Sequence, residues 1–131
     1  MLHTVRTIII AAAAIVTAIA ALALMPVNAN DADNGRTIEV LRFRTLKLSL
    51  ESNPTTGYSW QLISPADRKV LRLYYSKYRA RAAKLVGSGG REEWKFRAMA
   101  PGTVVIKALY ARPWERSAPP AKIFTLTIRV R

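Results

Sequence analysis

Hydrophobic and polar side chains alternate with a period of two along most of the chain beyond residue 36. Such alternation is typical of strands that turn one face to a hydrophobic core and the other face to water. Short segments rich in Pro, Gly, Asn and Ser separate the alternating stretches, as expected of turns. The pattern predicts strands at residues 37–41, 46–50, 58–63, 70–75, 92–99, 104–110 and 123–130.

About seven short strands divided by frequent turns predict an all-β fold, an immunoglobulin-like antiparallel β-sandwich. No long helical period interrupts them after residue 30. The same alternation predicts which side chains point into the core, with Trp60 as a large central residue that packs rather than binds. The predicted core consists of Leu46, Leu48, Leu50, Trp60, Leu62, Trp94, Phe96, Val105, Leu109, Phe124, Leu126 and Ile128.

The first 29 residues differ from the rest of the chain. A short basic start is followed by an unbroken apolar run at residues 7–24, and Val27-Asn28-Ala29 has the small-residue form of a signal peptidase site. We therefore expect residues 1–29 to be a secretory signal, and residues 30–131 to be one folded domain that is secreted or periplasmic. An uncleaved membrane anchor is the alternative, because the apolar run reaches the lower end of spanning length.

Composition excludes several classes of enzyme. The only His is His3, inside the predicted signal, and the chain has no Cys, so the predicted domain has neither a thiol nucleophile nor an imidazole base. Zinc sites built from Cys and His are excluded, and the eight acidic residues are too scattered to indicate a metal cluster or an acid and base pair. We expect no catalytic residue, no metal, no cofactor and no small-molecule substrate.

The charge of the predicted domain is strongly positive. Arg6 is the only charged residue before residue 30, which leaves 20 Lys and Arg against eight Asp and Glu, a formal net charge of +12. Such an excess attracts acidic partners and accelerates their encounter, but it does not determine the fold.

Once catalytic and metal sites are excluded, three separated segments are the candidates for a binding site. Each is rich in Gly, Pro, Asn or Trp and each interrupts predicted strands, so we expect three stiff loops on one scaffold, where binding residues concentrate. We name them the first loop (Asn53, Pro54, Thr55, Thr56, Gly57 and Tyr58), the second loop (Gly87, Ser88, Gly89 and Gly90) and the third loop (Arg112, Pro113 and Trp114).

The first loop has the most constrained backbone. Asn53 precedes Pro54 and is biased toward an extended conformation, Pro54 has a restricted φ, and Gly57 can adopt a left-handed turn. These restrictions predict a stiff, protruding hairpin tip. An ordinary turn between strands is the alternative interpretation.

The other two loops suggest contacts of different kinds. Three glycines in the second loop permit close approach of the main chain to another surface; a plain turn is the alternative, and a phosphate-binding loop is excluded because a strand-like segment follows instead of a helix. In the third loop, a Trp beside Pro and Arg has the composition of an interface anchor, since Trp and Arg dominate binding hot spots. The alternative is a Trp that folds back onto its own domain.

Together the three motifs resemble the chagasin family of inhibitors of papain-like cysteine proteases. The order Asn-Pro-Thr-Thr-Gly-aromatic followed by Trp60, then Gly-x-Gly-Gly, then Arg-Pro-Trp matches the family across the whole predicted domain. The segments Lys77-Tyr78, Lys84-Leu85 and Pro101-Gly102 also resemble family positions. The surface departs from the family in its many Arg residues, which leaves the preferred protease open.

The resemblance implies a mechanism and a set of contacts. In the family the three loops lie together at one end of the sandwich and form a wedge that occludes the protease cleft reversibly, without a covalent bond. It implies that Thr55, Thr56 and Gly57 lie nearest the protease's catalytic Cys and that Asn53, Pro54 and Tyr58 shape the tip. It further implies that residues 87–90 follow the cleft and that residues 112–114 pack on the opposite wall, in a monomeric inhibitor.

A second functional class is an exported polyanion-binding or adhesion module. Residues 68–84 contain seven Lys or Arg interleaved with Tyr74, Tyr75 and Tyr78, a pattern that can bind polyanions or nucleic acid. Export argues against nucleic acid as the ligand, and the solvated face of a strand is the commoner explanation of such a run. A membrane is an expected partner only if the N-terminal segment is not removed.

Overall fold

The computed structural model describes residues 25–63, 67–81 and 87–131, and these form two packed β-sheets. Two single 3-10 turns, Asp31–Asp33 and Pro54–Thr56, accompany the strands. None of the described segments contains a helix long and apolar enough to cross a membrane. The strands are β1 (Val27–Asn30), β2 (Thr37–Val40), β3 (Thr45–Ser52), β4 (Ser59–Ile63), β5 (Leu71–Ala80), β6 (Gly90–Ala98), β7 (Gly102–Ala111) and β8 (Lys122–Val130).

The predicted all-β sandwich is confirmed, with one strand more than the expected seven. The first sheet has the order β1-β3-β6-β5 and the second sheet has the order β2-β8-β7-β4. Most neighbouring strands are antiparallel, but β1 runs parallel to β3 and β2 runs parallel to β8. The extra strand is β1, whose residues Val27, Asn28 and Ala29 form the predicted cleavage site.

The hydrophobic core lies between the sheets and is built mainly from β3, β6, β7 and β8. The predicted inward positions of β3, β6 and β8 are buried, while Trp60 and Leu62 are half-buried against the core. The predicted phase of β7 is wrong: Val105 is 47% exposed and Leu109 is half-buried, whereas Val104, Ile106, Ala108 and Tyr110 face inward. Three consecutive apolar residues at 104–106 leave the phase of this strand undetermined in the sequence, and a shift of one residue exchanges its two faces.

The first loop is not the hairpin tip that the sequence predicted. The strands on either side of it, β3 and β4, belong to different sheets and do not pair with each other. The loop therefore carries the chain from one layer of the sandwich to the other. Residues 99–101 make the same kind of crossing at the other end, between β6 and β7.

The strands align so that the molecule has two poles. At one pole β3 ends, β4 begins, β5 ends, β6 begins, β7 ends and β8 begins, so all three loops leave the sandwich there; we call it the loop pole. The opposite pole contains the start of β1, the turn at 41–44 between β2 and β3, and the connections before β5 and after β6. An eight-residue strand such as β3 separates the poles by roughly 25 Å at about 3.3 Å per residue.

Removal of β1 is expected to destabilise the domain. Ala29 is buried, Val27 packs against the core, and the strand pairs with residues 46–49 of β3. A chain that begins at Asn30 should unfold more easily than one that begins at Met25, by roughly 2 kcal/mol, because it loses the apolar area of the buried Ala29 and the half-buried Val27. Urea unfolding of the two chains measures the difference. Equal midpoints would mean that β1 adds nothing, and that processing after Ala29 has no cost in stability.

Candidate functional site

All three loops meet at the loop pole, with the first loop in the middle. The Asn53 side-chain amide Nδ2 donates a hydrogen bond to the Gly87 carbonyl at 3.3 Å, which joins the first loop to the second. On the other side, Arg112 Nε donates to the Thr56 carbonyl at 3.1 Å, which joins the first loop to the third. The structure therefore brings together three segments that are up to about 60 residues apart in sequence.

Asn53 organises the first loop. Its carbonyl accepts a hydrogen bond from the Thr56 N–H at 3.2 Å and from Thr56 Oγ1 at 2.7 Å, and its side-chain Oδ1 accepts one from Thr55 Oγ1 at 2.6 Å. Pro54 begins the 3-10 turn, where its missing N–H is not needed, and Gly57 ends it with φ of 83°, in the left-handed region. Pro54, Thr55 and Thr56 are exposed, so a closed network of local bonds holds an exposed tip.

Arg112 connects the third loop to its surroundings. Its guanidinium donates to the Glu115 carboxylate at 3.1 Å and lies 4.5 Å from the centre of the Tyr58 ring, in addition to its bond to the first loop. Pro113 and Trp114 follow in a turn and are exposed, Trp114 at 67%. The Trp114 side chain is therefore not part of the core, and two thirds of it is open to solvent.

Gly57 and Trp114 depend on each other. A Cβ atom placed on Gly57 would come within 2.5 Å of Cη2 and 3.0 Å of Cζ2 of the Trp114 ring. The ring therefore lies against the open face of Gly57, and only a residue without a side chain leaves space for it.

The structure requires glycine at positions 87, 89 and 90 of the second loop for different reasons. Gly87 is exposed with φ of 83°, Gly89 has φ of 71°, and Ser88 is half-buried. Gly90 is buried at the start of β6, where an added Cβ would come within 2.2 Å of the Arg79 carbonyl. Packing within the domain therefore explains Gly90, while Gly87 and Gly89 keep the left-handed backbone that the loop needs.

Two residues outside the predicted set support the loops. The Tyr110 hydroxyl accepts a hydrogen bond from the Asn53 N–H at 2.9 Å, and its ring contacts those of Tyr58 and Trp60 at centroid distances of 5.3 and 5.0 Å. Glu115 supports Arg112. Neither residue has a local signal in the sequence, since Tyr110 lies within the predicted strand at 104–110 and Glu115 lies outside the three loop motifs. The correct phase of β7 identifies Tyr110 as inward-facing.

Trp60 links the two sheets directly beneath the first loop. Its indole N–H donates to the Glu51 carbonyl at 2.8 Å, and its backbone N–H donates to Glu92 Oε2 at 3.0 Å. Because Glu51 and Glu92 belong to the first sheet and Trp60 to the second, these bonds hold the sheets in register at the loop pole. The prediction that Trp60 packs is consistent with this arrangement.

Glu92 should make stability depend on pH. Burial raises the pKa of its carboxyl above the ordinary value of 4.5, and the bond from the Trp60 N–H lowers it too little to compensate. The folded protein therefore holds this proton more tightly than the unfolded chain, and stability falls as pH rises from about 4.5 through the folded pKa.

We expect Glu92→Gln to be more stable than the parent at pH 7 and equally stable near pH 3.5, because Gln keeps the acceptor without the charge. Urea unfolding between pH 3.5 and 7 tests this. Parallel pH profiles for the two proteins would contradict the assignment.

The described residues of the loop pole form a surface for contact. It presents Thr hydroxyls, glycine backbone and an exposed indole. In the described ranges, no three His, Cys, Asp or Glu side chains are placed to hold a metal ion.

The basic segment at 68–84 is divided by the fold. Arg68 and Lys69 lie in a turn at the opposite pole, whereas Arg72, Lys77 and Arg79 are exposed along β5, which extends five residues beyond its predicted end. Arg81 forms an ion pair with Glu51. Lys84 and Leu85 lie outside the described residues. The described part of this segment therefore runs from the opposite pole along β5.

Comparison with known proteins identifies one family. The model of the Chagasin family peptidase inhibitor I42 matches residues 40–128. Chagasin of Trypanosoma cruzi is 30% identical over 101 residues, covering 75% of this chain and 92% of chagasin. Amoebiasin-2 of Entamoeba histolytica is 31% identical over 86 residues, covering 66% of this chain and 70% of the relative.

Solved structures agree in fold. The crystal structure of the cysteine protease inhibitor EhICP2 from Entamoeba histolytica superposes with a TM-score of 0.70 at 23% identity, covering 81% of this chain and 95% of that one. The solution structure of Amebosin superposes with a TM-score of 0.66 at 32% identity, covering 82% of this chain and 99% of that one.

Proposed function

The chain belongs to the chagasin family of peptidase inhibitors, and we propose that it inhibits papain-like cysteine proteases by filling their active-site cleft with the three loops of the loop pole. The observation that carries this proposal is the pair of bonds that join the loops, from Asn53 to Gly87 and from Arg112 to Thr56. They make one surface of three segments, as a wedge requires. The family is one of inhibitors and not of enzymes.

The first loop enters the cleft in this proposal. Pro54, Thr55 and Thr56 form the exposed tip, and Asn53 and Tyr58 hold it from below. The network around Asn53 exists before the protease arrives. Little ordering therefore remains to be done on binding, and at a given contact area affinity rises as that ordering cost falls.

The second and third loops grip the two sides of the cleft. Gly87, Ser88 and Gly89 offer main chain with little side-chain bulk, which suits a close approach along a cleft wall. Trp114 supplies a large exposed apolar surface on the other side, with Arg112 and Pro113 limiting its freedom. Gly90, which is buried, positions the second loop from beneath.

The inhibition should be reversible and non-covalent. The chain has no Cys, so it cannot form a disulfide with the protease's catalytic thiol. Occlusion by shape is the mechanism that this surface supports.

We infer that the domain acts outside the cytoplasm. The basic start, the apolar run at residues 7–24 and the small residues after it support export. Fractionation of producing cells, with the mass of the exported chain, tests both the location and the position of any cleavage. Recovery of the full-length chain in the cytoplasm would oppose it.

Titration of papain with the purified domain tests the proposed function, and we expect stoichiometric loss of peptidase activity. Thr56→Ala should raise the Kd by roughly threefold to tenfold, because it removes one bond of about 1 kcal/mol that shapes the tip. Thr103→Ala is the matched control, since Thr103 is an exposed Thr at the opposite pole.

We expect the control to inhibit like the parent. A parent domain that leaves papain active at equimolar concentration would refute the proposed target class. An unchanged Kd for Thr56→Ala would refute only the role of the first loop.

A further inference from the structure

Exposed apolar side chains gather at the opposite pole, away from the loops. Met25, Leu41, Phe43 and Tyr74 are each between 54% and 59% exposed. Met25, Leu41 and Phe43 flank strand ends of that pole. Tyr74 lies inside β5, and its hydroxyl is 3.4 Å from Thr45 Oγ1 at the start of β3. Grouped exposed apolar side chains mark interaction sites more often than scattered ones do.

Phe43 occupies a backbone position that disfavours it. It lies in the turn closed by the hydrogen bond from the Arg44 N–H to the Leu41 carbonyl at 3.1 Å, and its φ is 71°. This is the turn position at which Gly or Asn is preferred, and it is the only non-Gly residue with positive φ in the described part of the chain. The turn accepts backbone strain and holds an aromatic ring out toward solvent.

The apolar group is surrounded by positive charge. Within two residues of the strand ends at this pole, in the described part of the chain, eight basic side chains face one acidic side chain, that of Glu39. Glu39 is already shared between Arg129 and Arg131. The basic residues are Arg42, Arg44, Lys47, Lys69, Arg72, Arg97, Arg129 and Arg131.

Contacts join the cations and the apolar residues into one surface. The Arg42 guanidinium lies 4.6 Å from the centre of the Phe43 ring, and its Nε donates to the Met99 carbonyl at 2.9 Å. Met99 in turn lines a shallow depression together with Tyr74, Arg72 and Arg97.

The chain also enters the domain at this surface. Arg44 donates from Nε and Nη2 to the Met25 carbonyl at 3.2 and 2.7 Å. Pro26 lines a second depression with Thr45, Lys47, Tyr74 and Lys95. In a chain that keeps residues 1–29, the apolar sequence at residues 7–24 would join the opposite pole with no spacer beyond Met25 and Pro26.

We propose that the opposite pole docks on a membrane surface of anionic lipid. Its cations match anionic headgroups, and its aromatic and aliphatic side chains match the interfacial layer, where amphipathic side chains concentrate. A soluble polyanion would bind through the cations alone, and its binding would not explain why Met25, Leu41 and Phe43 are exposed beside them. Docking in this way leaves the loop pole roughly 25 Å above the headgroups, free to engage a protease.

The test uses residues 25–131, which contain both sheets. Solved chains of this fold contain little beyond such a unit, since this chain covers 95% of the EhICP2 chain and 99% of the Amebosin chain. Co-sedimentation is measured with vesicles of phosphatidylcholine alone and with vesicles that contain 30% phosphatidylglycerol. We expect binding to the anionic vesicles only, weakened by salt.

Two variants locate the surface. Phe43→Gly should bind about fivefold more weakly while unfolding at no lower urea concentration, because Gly accepts φ of 71° without strain. Arg42→Glu/Arg72→Glu should bind more than tenfold more weakly, since each cation near an anionic surface contributes roughly fivefold. Lys77→Glu/Lys107→Glu, on exposed mid-strand positions, is the control with the same change in net charge and should retain most binding.

Three results would overturn the proposal. Equal losses in both double variants would mean that net charge alone drives binding. Retention on heparin without sedimentation with anionic vesicles would mean that the pole takes a soluble polyanion. Concentration-dependent dimers abolished by Phe43→Gly, with no vesicle binding, would make it an interface between copies of the chain.

Discussion

Replacement of Trp114 by alanine is expected to raise the Kd for papain about 30-fold or more and to leave the domain as stable as the parent. Truncation of an interface Trp of this kind commonly costs about 2 kcal/mol or more. Two thirds of the side chain is exposed in the free domain, so its loss should change the free energy of unfolding by roughly 0.5 kcal/mol or less. Inhibition kinetics and urea unfolding measure the two effects separately.

Tyr74→Ala provides the comparison for Trp114→Ala. Tyr74 is also an exposed aromatic residue, at 54%, but it lies at the opposite pole. We expect this variant to inhibit papain like the parent. If Trp114→Ala also matched the parent, the third loop would not be an anchor, and the proposed wedge would lose one of its sides.

Gly57→Ala is expected to impair inhibition to a similar degree by a different route. The left-handed φ of 83° costs a residue with a Cβ roughly 1 to 2 kcal/mol, and the new methyl group must displace the Trp114 ring. We expect a Kd for papain at least 30-fold higher, together with a lower urea midpoint. The loss of affinity results from displacement of the Trp114 ring, and the loss of stability results from the strained backbone at residue 57.

Gly35→Ala separates these two consequences. Gly35 has nearly the same φ, 78°, but an added Cβ there meets no atom within 4 Å. This variant should lose similar stability while keeping full inhibition.

A double variant tests the route through the ring. Gly57→Ala/Trp114→Ala should inhibit no worse than Trp114→Ala alone, because the methyl group then has no ring to displace. Additive losses in the double variant would show that Gly57 acts on the protease directly.

Much of the fold could be predicted because its signals are local. Alternation along β3, β6 and β8 identified the inward faces of these strands correctly, since each has polar residues on the other face. In β7 the apolar run at 104–106 carries no such contrast, and the predicted phase was wrong. The short strand β1 was missed because its residues also satisfy the pattern of a cleavage site.

The residues of the candidate site were likewise predictable only in part. Asn53, Pro54 and Gly57 predict a loop from the sequence, because their backbone preferences act within a few residues. Tyr110 and Glu115 have no such local signature. Their importance comes from contacts with Asn53 and Arg112, and the first of these crosses 57 positions of the chain.

The sequence by itself determined that this is a β-sandwich domain and where its three loops interrupt the strands, because alternation, Pro and Gly act locally. The tertiary structure decided that β3 and β4 lie in different sheets, that Arg112 reaches Thr56, and that charged and apolar side chains share the opposite pole. These features depend on pairing between distant strands, and no local preference of the chain specifies which distant partners meet.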